Sequence, residues 1–478
     1  MEKIGVAIIG TGFAGLGLAI RLRQTGSEDF VLFERANEVG GTCRENSYPG
    51  CACDVESPLY SFSFAPNPGW SRMYSPQPEI FEYLKDCTKK FDLYPQIRFQ
   101  HSVQNIKWNA EKKLWHIDTA NGEFWAKVVV AAAGPLSEPV TPQIEGLSQF
   151  KGTVMHSANW NHSFNFKNKR VAVIGTGASA IQIIPELQKI VGELKIFQRT
   201  PPWVLPRMDR TFSSIEKLLF QRSPRLQKLL RARIYATREL FGRAFRSPRA
   251  LSALELLARL HLKKSIKDTG LRSTLTPNYR IGCKRILISD NYYPALTQKN
   301  VKIHNTQILR ITEHGIAAPN EIAVDAIVFA TGFAASEVPF AKHVFGRRGI
   351  SLSEHWKGSP HAYLGLATPG FPNFFMLLGP NSGLGHNSVV LMIEAQIEHI
   401  LRTLANVTRQ GKATIEVKAE AEEKFLQLVD KKMEDSVWTA GGCKSWYLDR
   451  TGRNSTLWPI SVASFVKQTK NNDTENWI

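Results

Sequence analysis

Two short glycine-rich segments have the residue types and the spacing that bind dinucleotides. The first, GTGFAG, spans residues 10–15, and the second, GTGASA, spans residues 175–180. Each follows an apolar run typical of a buried strand and opens a helical pattern, so phosphates would rest on the free N–H groups of a helix N-terminus. One such segment is weak support, but two in one chain predict two dinucleotides and electron transfer between them.

The residues around the first segment favour FAD as its ligand. An apolar strand from Lys3 to Ile9 leads into the turn, and a second strand, Phe30 to Phe33, ends at Glu34. A carboxylate at this offset is typical of one that binds ribose hydroxyls. Gly-Gly-Thr at 40–42, Tyr-Pro-Gly at 48–50 and Asp54 then follow in an order familiar from flavoproteins that bind two dinucleotides.

The residues after the second segment favour NADPH over NADH. Arg170 to Ile174 reads as a strand, and the next strand, Leu194 to Phe197, is followed by Gln198-Arg199-Thr200. An NADH site would have a carboxylate here, which would repel a 2′-phosphate. A guanidinium instead offers that phosphate two hydrogen bonds.

Length and composition fit a globular protein of two or three packed units. The chain has 478 residues, and its apolar runs are too short and too glycine-rich for a transmembrane helix. No leader peptide is recognised, so a cytoplasmic protein is expected. The six cysteines, Cys43, Cys51, Cys53, Cys87, Cys283 and Cys443, show no Cys-x-x-Cys and no paired spacing, so reduced thiols and no metal site are expected.

The charge is strongly basic and unevenly distributed. The formal net charge is +18, and Lys and Arg are concentrated between Arg207 and Lys267 on leucine-rich helical periodicity. One interpretation is a solvated helical insertion; the other is a basic amphipathic surface that rests on anionic lipid or gathers anionic cofactor. No nucleic-acid-binding motif accompanies the charge, so nucleic acid is not an expected partner.

The predicted fold class is α/β, with two Rossmann-type dinucleotide-binding domains and a helical insertion. Residues 128–134 and 326–333 are two further strand-to-turn exits, which indicate where the chain leaves the first domain and returns. The predicted boundaries are 1–145 for the first part of the FAD domain and 146–328 for the NADPH domain, with the insertion at about 208–275. Residues 329–478 complete the FAD domain and supply a C-terminal active-site segment.

The segment between the two fingerprints carries a resemblance to a known family. Residues 150–160 read Phe-x-Gly-x-x-x-His-x-x-x-Trp, with Gly152, His156 and Trp160 at the defining positions. This pattern resembles the diagnostic motif of the class A (type I) Baeyer–Villiger monooxygenases, and the resemblance covers nearly the whole chain. Two departures are Cys43, where the family generally has Trp, and Asn161, where it has Pro or Asp.

The resemblance implies a reaction and roles for several residues. NADPH would reduce FAD, O₂ would form a C4a-peroxyflavin, and this would insert one oxygen beside a ketone carbonyl to give an ester or lactone. Arg285, oriented by Asp54, would be the catalytic cation, while Arg199, Lys284 and Thr200 would hold the 2′-phosphate. Trp446 would contact the nicotinamide-side ribose when a mobile loop closes, and Gly152, His156 and Trp160 would act as a hinge. The predicted cofactor-binding residues are Gly10, Gly12, Phe13, Ala14, Gly15, Glu34, Gly41, Thr42, Cys43, Asp54, Tyr60, Val103, Gly134, Gly175, Thr176, Gly177, Ala178, Ser179, Ala180, Arg199, Thr200, Lys284, Arg285 and Trp446.

Two other functions are compatible with the same cofactors. An N- or S-oxidising flavin monooxygenase would use the same chemistry on a soft nucleophile, although Trp160 and Arg285 argue against it. A non-enzymatic NADPH-binding flavoprotein at a membrane surface is the second alternative. The basic, leucine-rich insertion suggests lipophilic ketones as substrates, and the sequence does not indicate an oligomeric state.

Overall fold

Two mainly parallel β-sheets organise the computed structural model, which describes residues 1–434, 436–443, 445–471 and 473–478. The strands are β1 Glu2–Ile9, β2 Phe30–Phe33, β3 Ile97–Arg98, β4 Val103–Asn109, β5 Leu114–Thr119, β6 Gly122–Ala131, β7 Thr153–His156, β8 Arg170–Ile174, β9 Glu193–Phe197, β10 Val204–Leu205, β11 Leu287–Ile288, β12 Val301–His304, β13 Arg310–Ile311, β14 Gly315–Ala317, β15 Glu321–Ala323, β16 Ala326–Phe329, β17 Val344–Phe345 and β18 Phe374–Met376. The α-helices are α1 Phe13–Gln24, α2 Thr42–Glu45, α3 Gln77–Lys90, α4 Ala180–Gln188, α5 Ser214–Arg222, α6 Pro224–Ala244, α7 Pro248–Ser265, α8 Thr269–Thr274, α9 Tyr292–Leu296, α10 Leu352–Trp356, α11 Val389–Arg409, α12 Ala419–Met433, α13 Val437–Ala440 and α14 Val462–Lys470.

The first sheet is built from both ends of the chain. Its strand order is β17-β4-β5-β6-β1-β2-β3, and β18 also pairs with β6. β1 is parallel to β2 and β6, whereas β4, β5 and β6 form an antiparallel meander. Strands buried on both faces need continuous apolar runs, and Val128–Ala131 at the end of β6 supplies one. α1 packs between this sheet and α11 and is buried over most of its length.

The second sheet is continuous in sequence. Its order is β12-β9-β8-β16-β7, and all its strand pairs are parallel. The chain enters this sheet between β6 and β7 and leaves it after β16, close to the predicted boundaries at 145 and 328. The expected α/β architecture with two dinucleotide-type sheets is confirmed.

Several elements have the bounds that the sequence indicates. The strands predicted at Phe30–Phe33 and Arg170–Ile174 are observed with those ends. Helices α5 to α8 fill the predicted insertion. Among the described residues, no helix is both long enough and apolar enough to cross a membrane.

Candidate active site

The first glycine turn lies where three strands of the first sheet end. Gly10 has φ of 103°, and its N–H donates to the carbonyl of Phe33 over 2.8 Å. A Cβ at Gly10 would lie 2.8 Å from the carbonyl oxygen of Ala132, so glycine is required by both conformation and space. The N-terminus of α1, capped at Gly12, opens directly after this turn.

Glu34 is held as an acceptor beside this turn. Its carboxylate is buried and accepts hydrogen bonds from the Thr11 hydroxyl over 2.5 Å and the Ala36 N–H over 2.9 Å. Arg44 lies 3.1 Å from the same carboxylate. These contacts place the predicted ribose-binding carboxylate at the end of β2, next to the first glycine turn.

The remaining residues predicted around the first turn mostly surround it. Gly40 donates to the Thr11 carbonyl over 2.9 Å, which brings the segment at Gly41, Thr42 and Cys43 against the turn. Phe13, Ala14 and Gly15 are buried in α1, and the Tyr60 ring lies 4.9 Å from that of Phe13. Gly134 follows β6, and Val103 begins β4, packed against the cluster that contains Phe33. Burial, with Cys51 nearby, raises the pKa of the Cys43 thiol to about 12, so Cys43 is not a thiolate at neutral pH.

The second glycine turn repeats the geometry of the first. Gly175 has φ of 111°, and its N–H donates to the carbonyl of Phe197 over 3.1 Å. A Cβ there would lie 2.5 Å from the carbonyl oxygen of Ala330. In contrast, a Cβ at Gly177 would meet no atom within 4 Å. Gly177 therefore borders open space just before α4, which is the space a pyrophosphate needs.

Two cations lie beside the second turn. Arg199 is exposed just after β9, and the Thr200 carbonyl accepts from the Thr176 hydroxyl over 3.0 Å. Burial and then the charge of Arg199 lower the pKa of Lys284, which shows that the two cations are neighbours. A 2′-phosphate would relieve this repulsion.

Asp54 and Arg285 form an ion pair. This pair connects the part of the chain that contains the first sheet to the part that contains the second sheet. Arg285 donates from Nε over 2.8 Å, and its Nη2 lies 2.6 Å from the same Asp54 Oδ2. The charge of Asp54 is the main cause that holds the pKa of Arg285 above its ordinary value. Burial opposes ionisation of Asp54, but the charge and hydrogen bonds of Arg285 hold the pKa of that carboxyl below its usual range.

The C-terminal segment of the chain brings Trp446 and Tyr447 near this ion pair. The indole of Trp446 is 42% exposed and its ring centre lies 4.4 Å from that of Tyr447. Tyr447 is buried, and burial raises its pKa to about 12 although the charge of Arg285 opposes the rise. Tyr447 therefore contacts the predicted catalytic cation, a role that the sequence did not indicate.

The segment at 150–161 runs along the edge strand β7 of the second sheet. A Cβ at Gly152 would lie 2.4 Å from the carbonyl oxygen of Asp325, which requires glycine. His156 is buried, accepts from the Ala158 N–H over 3.1 Å, and has a pKa lowered by burial. Trp160 stacks on Phe166 with ring centres 5.3 Å apart. These contacts favour a structural role for the segment over acid–base chemistry.

The helical insertion contributes a buried cation near the ion pair. Arg238 of α6 donates to Glu56 over 2.8 Å and to the Tyr74 hydroxyl over 3.1 Å. Its charge also contributes to the low pKa of Asp54. On the same helix, Glu239 accepts from Asn387 over 2.8 Å, just before α11. The sequence of α6, which is rich in basic residues and leucine, did not predict these contacts.

A disulfide bond joins Cys283 and Cys443, so the expectation of six reduced thiols is wrong for this pair. Their Cα atoms are 6.2 Å apart although 160 residues separate them in sequence. No sequence spacing could have indicated the pair, because the fold alone brings these segments together. The bond links the segment of Lys284 and Arg285 to the segment that precedes Trp446.

Breaking this disulfide is expected to loosen the Trp446 segment. In Cys443→Ser, or after reduction by a dithiol, we expect a several-fold faster NADPH oxidation without ketone and a several-fold higher KM for NADPH. The physical reason is that one covalent closure of a long loop is removed. Cys87→Ser, at a free buried cysteine, is the matched control. Non-reducing peptide mapping checks the bond itself, and unchanged kinetics in Cys443→Ser would contradict the expected effect.

The comparisons with known proteins agree with this geometry. The sequence matches the flavin-binding monooxygenase-like (FMO-like) family over residues 3–347, and the chain belongs to that family. Within it, the chain is 49% identical over 460 residues to a Baeyer–Villiger monooxygenase of Pseudomonas aeruginosa, covering 95% of this chain and 87% of the relative. It is 47% identical over 480 residues to a Baeyer–Villiger monooxygenase of Streptomyces coelicolor, covering 99% and 92%.

A solved structure gives the same result. Oxidised steroid monooxygenase bound to NADP matches with a TM-score of 0.89 and 30% identity, covering 100% of this chain and 99% of that one. The predicted Baeyer–Villiger monooxygenase, an enzyme that uses FAD and NADPH, is thereby confirmed.

Proposed function

We propose that this protein inserts one oxygen atom from O₂ beside the carbonyl of a ketone, giving an ester or lactone, and that NADPH supplies the electrons. FAD binds at the first glycine turn and NADPH at the second. The observation that carries the proposal is the Asp54–Arg285 ion pair, 2.6 Å long, which connects the parts of the chain that hold the two turns. The two sheets also support the proposed domain boundaries at 145 and 328.

The residues present fit the two cofactors. At the first turn, the start of α1 offers free N–H groups, and Glu34 is fixed beside it as an acceptor for ribose hydroxyls. At the second turn, the open space at Gly177 admits a pyrophosphate, and Arg199, Thr200 and Lys284 bind the 2′-phosphate. Trp446 is exposed enough to contact the nicotinamide side.

Arg285 supplies a permanent positive charge for the reaction. When bound, FAD would supply the activation of O₂ and NADPH the electrons. Arg285 stays protonated at any working pH, because its pKa is raised and a guanidinium is a weak acid in any case. A fixed cation stabilises negative charge that develops on oxygen without any reorganisation of solvent.

Asp54 positions that charge. Its carboxylate accepts two contacts from one edge of the guanidinium, which leaves Nη1 free of Asp54. The remaining donors can then face the ketone oxygen. Tyr447 is buried beside the same guanidinium.

We further propose that the chain belongs to the class A (type I) Baeyer–Villiger monooxygenases. Support comes from the FxGxxxHxxxW segment at 150–160 and from two dinucleotide sites on one polypeptide. The N- or S-oxidising alternative does not need the Asp54–Arg285 pair, because a neutral soft nucleophile develops no negative oxygen that requires a cation.

The test is NADPH oxidation by the purified yellow protein with and without a ketone panel, while esters are followed by mass spectrometry. Ketone-stimulated oxidation with ester formed in equal amount is the expected result. Oxidation of amines and sulfides in the absence of any ester from the panel would support the N- or S-oxidising alternative instead.

A specific surface supports a second proposal, that the insertion rests on anionic lipid. Residues 214–265 contain thirteen Lys and Arg but only three Asp and Glu. All three acids are engaged: Glu216 with Arg210, Glu255 with Arg280, and Glu239 with His386. Large apolar side chains are exposed on the same helices: Ile215, Leu218, Leu219, Leu226, Leu229, Leu240, Leu256, Leu257 and Leu260.

These apolar residues follow helical stripes. On α6, Leu229 is 67% and Leu240 65% exposed, three turns apart on one face. Exposed leucines flanked by uncompensated cations are typical of helices that lie in a lipid headgroup region. A site beside a membrane would receive lipophilic ketones, which we propose as the substrate class.

Vesicle sedimentation tests the lipid surface. We expect binding to vesicles containing phosphatidylglycerol, little binding to pure phosphatidylcholine, and release by salt. The double variant Leu229→Ser/Leu256→Ser should bind at least about 100-fold more weakly, because each leucine contributes roughly 1.5 kcal/mol or more when buried and about 1.4 kcal/mol changes binding tenfold. Leu309→Ser, at an exposed leucine outside the insertion, is the control. Absence of binding at low salt would refute the proposal.

A further inference from the structure

Two imidazoles and one carboxylate converge in a part of the molecule that the proposed function does not use. His355 lies in α10, His361 in the loop that follows, and Glu422 in the first turn of α12. One possible ligand atom from each residue lies within 4.8 Å of the other two. The set combines the donor types that divalent transition metals prefer.

The carboxylate in this cluster lacks a cationic partner. Glu422 is only 6% exposed, and its Oε1 accepts from the Thr368 hydroxyl over 3.1 Å. Its Oε2 faces Nε2 of His361 over 3.8 Å. Within the described part of the chain, no Lys or Arg forms an ion pair with Glu422, whereas the partly buried Glu416 pairs with Arg347. A buried carboxylate without a cation is costly, so the site has a reason to bind one.

The tautomer of His361 suits metal binding. Its Nδ1 lies 2.8 Å from the Ser359 carbonyl oxygen. Because a carbonyl can only accept, Nδ1 carries the proton and Nε2 presents its lone pair toward Glu422. Imidazoles that bind metals are typically fixed in this way, through a hydrogen bond from the other ring nitrogen to a backbone carbonyl.

We propose that His355, His361 and Glu422 bind one divalent transition-metal ion, with Zn²⁺ as the representative species. Zinc binds His nitrogen and carboxylate oxygen atoms at roughly 2.0–2.2 Å in tetrahedral geometry. Two atoms that share such an ion lie somewhat closer together than 3.8 Å, so the distance between His361 Nε2 and Glu422 Oε2 must shorten only slightly. His361 has 22% of its side chain exposed, which leaves room for a water as the fourth ligand. Two imidazole ligands argue against Mg²⁺ and Ca²⁺, which prefer oxygen.

The position of the site indicates a structural role. The Ser359 hydroxyl donates to Asp449 over 2.7 Å, and Arg453 donates to the Pro360 carbonyl over 3.2 Å. The proposed ion would thus fasten α12 to a loop that also holds the turn after Tyr447. The three ligands are 6 and 61 residues apart in sequence, so they form no compact metal-binding motif. The expectation of no metal site was based on the spacing of the cysteines.

Metal titration of the untagged, chelator-treated full-length protein tests the site. With ZnCl₂ we expect one ion bound per chain by calorimetry and a rise in melting temperature. With CoCl₂ we expect visible absorption bands of a nitrogen- and oxygen-ligated ion. Glu422→Gln keeps the acceptor for Thr368 and the side-chain shape, so it should fold, yet bind the metal at least about 100-fold more weakly.

Three variants separate this site from other sources of binding. His361→Gln should lose the metal as Glu422→Gln does. His314→Gln removes an exposed histidine outside the cluster and should bind normally, as should Cys51→Ser. No binding to the parent protein, unchanged binding in both cluster variants, or loss of binding in Cys51→Ser would each overturn the proposal. None of these outcomes depends on ketone oxidation, so the test of the metal site is independent of the proposed function.

Discussion

Arg285→Lys is expected to abolish ester formation while the protein stays folded and yellow. The lysine ammonium cannot reproduce the two contacts, 2.8 and 2.6 Å, that fix the guanidinium on Asp54. Loss of one preorganised donor typically lowers the rate about 10²- to 10³-fold. Arg285 is also the only cation that pairs with Asp54 among the described residues, so we expect at least that loss. Ester formed per NADPH, followed by mass spectrometry, is the measurement.

A matched control lies five residues earlier. Arg280 is partly exposed and pairs with Glu255 over 3.1 Å. Arg280→Lys keeps the same chemical change on the same segment and should retain nearly full ester formation. If Arg285→Lys kept more than a tenth of the parent's ester yield, Arg285 would not be the catalytic cation.

Asp54→Asn separates the position of Arg285 from its charge. The asparagine keeps the shape and one acceptor, but it removes the carboxylate that holds the guanidinium. We expect a smaller loss than in Arg285→Lys, and the double variant should be little worse than Arg285→Lys alone, because the two residues act as one unit. Additive losses would show that Asp54 acts independently of Arg285.

The sequence predicts the geometry of the two glycine turns well because local physics dictates it. The positive φ of Gly10 and Gly175, and the strand carbonyls that crowd both residues, are consequences of a strand–turn–helix unit only a few residues long. The Asp54–Arg285 pair was also predicted, although by family resemblance and not by spacing.

The contacts that the sequence could not indicate are those made across long separations. The Cys283–Cys443 disulfide, the approach of Arg238 to Glu56, and the cluster of His361 with Glu422 all depend on how the insertion and the C-terminal segment pack. Cysteine counting led to the wrong redox state for the first of these. A single sequence carries no pairing information at such distances, so these features required the fold.

Replacing Arg199 by glutamate is expected to reverse the preference for the nicotinamide cofactor. Arg199 is exposed just after β9, and Lys284 is its close cationic neighbour. Charged hydrogen bonds contribute about 1.5–3 kcal/mol each, so the KM for NADPH should rise about 10²-fold or more. The KM for NADH should fall, because a carboxylate at this strand end can accept from the free 2′-hydroxyl.

The control must carry the same change in net charge. Arg310→Glu alters the charge by the same amount at an exposed position on β13 of the same part of the chain, so it tests long-range steering of an anionic cofactor. We expect a change of at most a few-fold in the KM for NADPH in that variant, and none for NADH. Equal effects of the two substitutions would mean that Arg199 acts only through the overall field. In that case the 2′-phosphate site would lie elsewhere. If instead only Arg199→Glu changes the KM for NADPH, and kcat is preserved, the 2′-phosphate lies at the end of β9.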